Sequence, residues 1–99
     1  MAKRGISWDK KAWQDFINIL EYIREDSPEN AIRVGTRVST VIELITEHPK
    51  MFKQDDMKMR NDGSFRVFVQ DSIRITYRIK PKEIRIERIR HTSQEPLEY

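Results

Sequence analysis

Arg66, Arg74, Arg78 and Arg85 fall in a part of the chain where side chains alternate, and Phe68 stands among them. Guanidinium forks beside an aromatic ring can clamp phosphates and stack a base. Lys50, Lys53 and Lys58 lie on the approach to these residues, so the chemistry suits a polyanion, either nucleic acid or an acidic protein. His91 is the best-placed titratable side chain, because it follows the last alternating stretch and imidazole moves protons near neutral pH. Tyr99 offers a phenol that could donate a proton or stack. Plainer uses exist for each. Arginines can solvate a sheet face and pair with Glu83 or Glu87 across strands, and Phe68 can join a satellite core. His91 can bond a carbonyl at a strand end, and a frayed Tyr99 can do nothing. His48, before Pro49, reads as a helix-end residue.

Other chemistries find no support. The sequence shows no catalytic carboxylate pair, metal-ligand spacing, glycine-rich phosphate loop or nucleophile elbow, so neither a metal nor a cofactor is expected. With no cysteine, a disulfide-stapled scaffold, a thiolate zinc site and a cysteine nucleophile are excluded. No apolar run approaches the length of a membrane span or of a signal-peptide core, and a cytoplasmic protein without membrane partners is expected. The 99 residues suit one domain, 1–99, with a modest core.

Charge is unevenly spread along the chain. Residues 1–50 carry eight basic and eight acidic side chains, so the formal net charge of +3 arises entirely from residues 51–99. Between Lys58 and Arg90 there are ten basic side chains against four acidic ones. That bias again favours an anionic partner.

The elements that must position these residues follow from periodicity. Ala12, Trp13, Phe16, Ile17, Ile19, Leu20 and Ile23 have helical spacing, with Ser7 or Asp9 as candidate cap. Ser27-Pro28-Glu29 opens a second helix whose stripe is Ala31, Val34, Val38, Val41, Leu44 and Ile45, ending at His48-Pro49. So short a link makes the pair an antiparallel hairpin. The period then becomes two. Met57 and Met59 alternate with charge, and Asn61-Asp62-Gly63 signals a tight hairpin. Phe65, Val67 and Val69 alternate with Arg66, Phe68 and Gln70, and Asp71-Ser72 turns. Ile73, Ile75, Tyr77 and Ile79 alternate with Arg74, Thr76 and Arg78; after Pro81-Lys82 come Ile84, Ile86 and Ile89. The slip between Ile86 and Ile89 suggests a bulge. Residues 4–8 read as a further short strand.

The expected architecture is α+β: a two-layer sandwich, with the helix hairpin packed on one face of a mainly antiparallel sheet of three to five strands. If Phe65, Val67 and Val69 face the helices with the isoleucines, the open face carries Arg66, Phe68, Arg74, Thr76, Arg78 and Arg85.

In this order the chain resembles the RelE/ParE superfamily of bacterial type II toxin–antitoxin toxins over nearly its whole length. The resemblance is carried by Ile6-Ser7-Trp8, by Ala12, Asp15-Phe16, Ile19 and Tyr22-Ile23, and by Ser27-Pro28, Ala31 and Pro49. It continues through Phe65-Arg66-Val67-Phe68, the stretch from Ser72 to Ile79, and Ile86-Glu87-Arg88-Ile89-Arg90-His91. It implies a toxin neutralised by a cognate antitoxin. RelE-like members cleave mRNA on the ribosome without a metal, by attack of a 2′-hydroxyl on the neighbouring phosphate. That branch implies Arg74 and Arg66 as phosphate cations, and His91 and Tyr99 for proton transfer. Lys50, Lys53, Lys58, Phe68, Arg78 and Arg85 would then contact RNA. Where RelE carries a second active-site arginine after the last strand, this chain has Thr92-Ser93. ParE-like members share the fold, lack the nuclease residues and inhibit DNA gyrase; an inactive member would bind only its antitoxin. On the sequence, mRNA cleavage is placed first and gyrase inhibition second.

Overall fold

A computed structural model describes residues 3–94 and 98–99. The elements run β1 (Gly5–Trp8), α1 (Lys10–Asp26), α2 (Pro28–Glu47), β2 (Phe65–Gln70), β3 (Ile73–Ile79) and β4 (Glu83–His91). The sheet order is β1-β4-β3-β2. β2, β3 and β4 form an antiparallel meander, and β1 lies parallel to β4 at the edge. The two helices cover one face, so the expected two-layer sandwich is the fold.

Local signals explain the helix limits. Asp9, not Ser7, caps α1: its carboxylate accepts from the Ala12 amide at 3.0 Å. Ser27 serves both helices, since its amide closes α1 on the Ile23 carbonyl and its hydroxyl accepts from the Asn30 amide of α2. One residue therefore makes the reversal. α2 buries Ala31, Val34, Val38, Ile42, Ile45 and Thr46. The expected stripe is displaced near its end, because Ile42 is buried and Leu44 is 45% exposed.

Phe16, Val38, Ile45, Phe68, Ile73, Ile75, Tyr77, Ile84, Ile86 and Ile89 meet in the core between the layers. β4 carries the expected irregularity. Thr76 pairs with Arg88 but Tyr77 pairs with Ile86, which leaves Glu87 as the extra residue of a bulge. That extra residue keeps Ile89 on the helix side and turns Arg88 and Arg90 to the far side with Arg74.

β2 is placed the other way up from the sequence expectation. Phe68 is 4% exposed and stacks on Phe52 at 5.0 Å in the core, whereas Val69 is 55% exposed. Arg66 pairs in register with buried Tyr77 on the helix side of the sheet. The cause is that β2 is apolar on both faces. Val67 is also buried, and residues 53–55 run antiparallel along the edge of β2, with a bridge between Gln54 and Arg66. Met57 and Met59 form no strand, and Asn61-Asp62-Gly63 is no hairpin tip. Instead the Asn61 side chain braces the loop, donating to the Asp55 and Phe65 carbonyls and accepting from the Gly63 and Phe65 amides. Gly63 takes the positive φ, +97°, that the loop requires. The true tight hairpin is Asp71-Ser72, with φ of +51° and +64°, and Arg37 of α2 pairs with Asp71 at 2.9 Å.

Candidate functional site

On the sheet face away from the helices, a cavity of about 160 Å³ is lined by Met57, Val69, Arg74, Thr76, Arg88, Arg90, His91, Thr92, Gln94 and Tyr99. The strand register builds its basic wall. Arg74 of β3 lies opposite Arg90 of β4, and Thr76 lies opposite Arg88, so three guanidiniums share one patch of the face.

Asp55 organises the side of the cavity nearest β2. Its carboxylate is fully buried and receives four hydrogen bonds. The Met57 amide (3.0 Å) and Arg74 (2.6 Å) donate to Oδ1, while the Thr76 hydroxyl (2.8 Å) and the Tyr99 phenol (2.6 Å) donate to Oδ2. Burial, the largest single influence, pushes the Asp55 carboxyl up; the bonds from Tyr99, Met57, Thr76 and Arg74 outweigh it and hold the group below the ordinary carboxylate range. Burial and then the Asp55 bond push the Tyr99 phenol well above the ordinary tyrosine range. Burial and neighbouring Arg90 lower Arg88. Arg74 also reaches Asp56 at 3.3 Å.

Tyr99 is held by its backbone as well. Its amide donates to the Met57 carbonyl at 2.9 Å, and its carbonyl accepts from the Met59 amide at 2.5 Å. The ring lies under Arg88 at 4.5 Å and Lys58 at 5.2 Å, and stands nearly perpendicular to the Phe65 ring. At His91, Nδ1 accepts the Ser93 amide at 3.1 Å and lies 2.7 Å from the Ser93 hydroxyl. A neutral imidazole so bonded carries its proton on Nε2 and is a donor there.

Three of the four expected catalytic side chains, Arg74, His91 and Tyr99, thus share one cavity. Arg66 does not join them: it donates to the Phe52 and Gly63 carbonyls on the opposite side of the sheet. Nor does Phe68, which is core. Lys58 sits against Tyr99 and Phe65, and Arg78 lies over the Phe65 ring at 5.0 Å. Arg85 is taken up by Asp9 and Glu87 at the far end of the face. Lys50 and Lys53 are exposed around the loop that follows α2. The sequence reading missed Asp55, Arg88 and Arg90. Placing the β4 bulge at Glu87 would have put both arginines beside Arg74; Asp55 lies in an irregular loop where periodicity carries no signal.

A second concavity lies on the outer side of the helix hairpin. This groove, about 850 Å³, includes Ile17, Leu20, Ala31, Ile32 and Gly35 in its lining. Among the described residues no helix is long and apolar enough to cross a membrane.

A helix hairpin packed on one face of a four-stranded sheet is the fold expected of a type II toxin–antitoxin toxin of the RelE/ParE superfamily. Residues 6–96 match the sequence model of the family described as ParE toxin of type II toxin-antitoxin system, parDE. The chain belongs to that family, and a cognate antitoxin is the partner the family implies. It is similar to the protein named "Putative toxin Y4kP" of Sinorhizobium fredii (strain NBRC 101917 / NGR234), 26% identical over 95 residues that cover 96% of this chain and 95% of that one. The fold is similar to a solved structure titled "Chromosomal ParDE TA system from P. aeruginosa", with a TM-score of 0.67 and 20% identity. That match covers 90% of this chain and 96% of the other.

Proposed function

We propose that this toxin arrests growth by binding and inhibiting DNA gyrase in the cytoplasm, with no chemistry of its own. The observation that carries this is a cavity that, among the described residues, is rich in cations and poor in bases. Cleavage through a 2′-hydroxyl needs a group that accepts its proton. The Nδ1 lone pair of His91 is taken by the Ser93 amide, and the Tyr99 phenol donates to Asp55. Asp55 itself is buried, with both oxygens occupied. Arg66, the other cation that mRNA cleavage would use, points into the opposite layer. Membership of the ParE family supports the same direction, since gyrase is the target that the ParE-like branch implies.

The antitoxin is proposed to dock on the apolar groove between α1 and α2, where Ile32 is 71% exposed. Ribosome-dependent mRNA cleavage is the second reading, favoured by the convergence of Arg74, His91 and Tyr99 on one cavity.

Two assays on the purified chain separate them. Supercoiling of relaxed plasmid by gyrase should stop at stoichiometric toxin, while mRNA 5′ ends in a translation extract stay unchanged. New 5′ ends that require ribosomes and Arg74, with supercoiling intact, would reverse the assignment. No effect in either assay would mark a member that only binds its antitoxin.

A further inference from the structure

We propose that Gly35 opens a socket in the groove between α1 and α2, and that this socket receives one large apolar side chain of an amphipathic antitoxin helix and so decides which antitoxin fits. The inference rests on the docking of the antitoxin in this groove proposed above, and adds the residue that sets its specificity.

Nothing inside the fold requires glycine at position 35. It lies in the interior of α2, where glycine is less favourable than alanine. Its backbone is helical, so no special conformation is served. A methyl group added there would meet, outside α2 itself, only the Leu20 methyls of α1 among the described residues, at 3.7 and 3.9 Å. Those are ordinary van der Waals contacts, so the packing of α1 on α2 does not call for a missing side chain either. What the glycine provides is room on the groove side, since Gly35 and Leu20 both line the trough of about 850 Å³.

The shape and charge of the trough fit a third helix. Ile17 and Leu20 line it from α1 and the largely exposed Ile32 lines it from α2, an apolar channel between two antiparallel helices. The apolar row of an amphipathic helix fills such a channel with side chains three and four positions apart, and the knob over a residue without Cβ sinks deepest. Buried anchors of that kind carry most of the energy of an interface. Glu21 and Glu43 stand on the two walls against a single guanidinium, Arg24, so the groove is acidic on a chain whose formal net charge is +3. Glu43 is already met by Lys3 at 2.7 Å, whereas Glu21 has no hydrogen bond or ion pair among the described residues. The complementary helix therefore carries a lysine or arginine beside its apolar row, and nucleic acid is excluded as occupant. A second copy fits poorly, because a two-fold contact would set one concave groove against another and leave the socket empty.

Isothermal titration of the full chain tests this, with the purified full-length product of the reading frame adjoining the toxin gene as the antitoxin. Amide hydrogen exchange maps the footprint. Gly35→Leu should weaken binding by about tenfold or more, and Gly35→Ala by less, because the cost of overpacking grows with what is inserted. Gly35→Ala should nevertheless unfold at a urea midpoint no lower than wild type, as expected for a helix-interior glycine. An alanine scan of the antitoxin then locates the anchor. Antitoxin truncated at that anchor should bind Gly35→Leu at least as well as it binds the wild-type toxin, a reversal that a purely structural Gly35 would not produce. Protection of the groove with equal affinity for all three toxins keeps the docking reading and overturns the socket. Protection confined to the sheet face, or no binding by the unsubstituted chain, overturns both. A toxin that dimerises alone and becomes monomeric on Gly35→Leu gives the groove to a second copy and also overturns the proposal.

Discussion

The Tyr99 phenol donates a 2.6 Å hydrogen bond to Asp55 across 44 positions of sequence, and Thr76 of β3 donates to the same carboxylate oxygen. One buried anion thus joins the β2 side loop, the middle of the sheet and the end of the tail. Burial costs a carboxylate several kcal/mol unless its oxygens are satisfied, and here four donors satisfy two oxygens. The same bonds that stabilise the carboxylate commit Tyr99 and Arg74 to architecture.

Replacing Asp55 by asparagine should therefore destabilise the fold by about 2–4 kcal/mol. Asparagine presents an NH₂ where one oxygen accepted, so two donors lose their acceptor and Arg74 loses its buried counter-charge. The urea midpoint, read by far-UV circular dichroism, measures this. A loss under about 0.5 kcal/mol, the scale of an ordinary surface change, would mean that the cluster is not a structural anchor.

Stability should also fall in acid, with a sign fixed by the direction of the Asp55 shift. The carboxyl titrates lower in the folded chain than in the unfolded one. Its contribution is therefore complete above the unfolded value, about 3.9, and is lost as pH falls below that toward the folded value. Tyr77 is the mirror case. Burial pushes it up to about 12, against the pull of Arg66, so its contribution is present below the unfolded value of about 10 and is lost between there and 12. Urea unfolding of wild type and Asp55→Asn from pH 3 to pH 7 isolates the acid limb: the gap between them should narrow as pH drops. A constant gap would remove Asp55 from the acid response.

Most of the fold was legible in the sequence. Two helical stripes, a Ser-Pro-Glu start and clean alternation in β3 dictate a hairpin on a sheet, and the slip between Ile86 and Ile89 correctly locates the bulge. Failure came where a segment is apolar on both faces. Val67-Phe68-Val69 offers no polar side, so alternation cannot choose its parity, and the loop that pairs along the edge of β2 is recognisable only in three dimensions. The site was half legible for the same reason. Arg74, His91 and Tyr99 were named, but Arg88 and Arg90 depend on which side of the bulge they fall, and Asp55 depends on a loop held by Asn61.

The parity of β2 is open to a direct check. Phe68→Ala should cost about 3–5 kcal/mol, because the ring stacks on Phe52, contacts Tyr77 and is enclosed by the core. Val69→Ala, one position on, should change stability by no more than about 0.5 kcal/mol. Equilibrium denaturation of the two variants side by side suffices. A reversed order of costs would restore the alternative parity, with Phe68 on the far face.

Toxicity of His91→Ala and Tyr99→Phe distinguishes binding from chemistry. A gyrase-directed binder needs neither proton, so both variants should arrest growth at wild-type expression levels. Tyr99→Phe forfeits the bond to the buried Asp55 carboxylate, worth about 1.5–3 kcal/mol, while its ring stays under Arg88 and Lys58. A nuclease that used Tyr99 as proton donor would lose activity by about 10²–10⁴-fold for one acid–base group even where the variant stays folded. Induction from a titratable promoter, with toxin abundance measured by immunoblot and antitoxin binding measured on the purified variants, separates lost function from lost protein. Folded, antitoxin-binding variants that no longer arrest growth would transfer the assignment from gyrase to RNA.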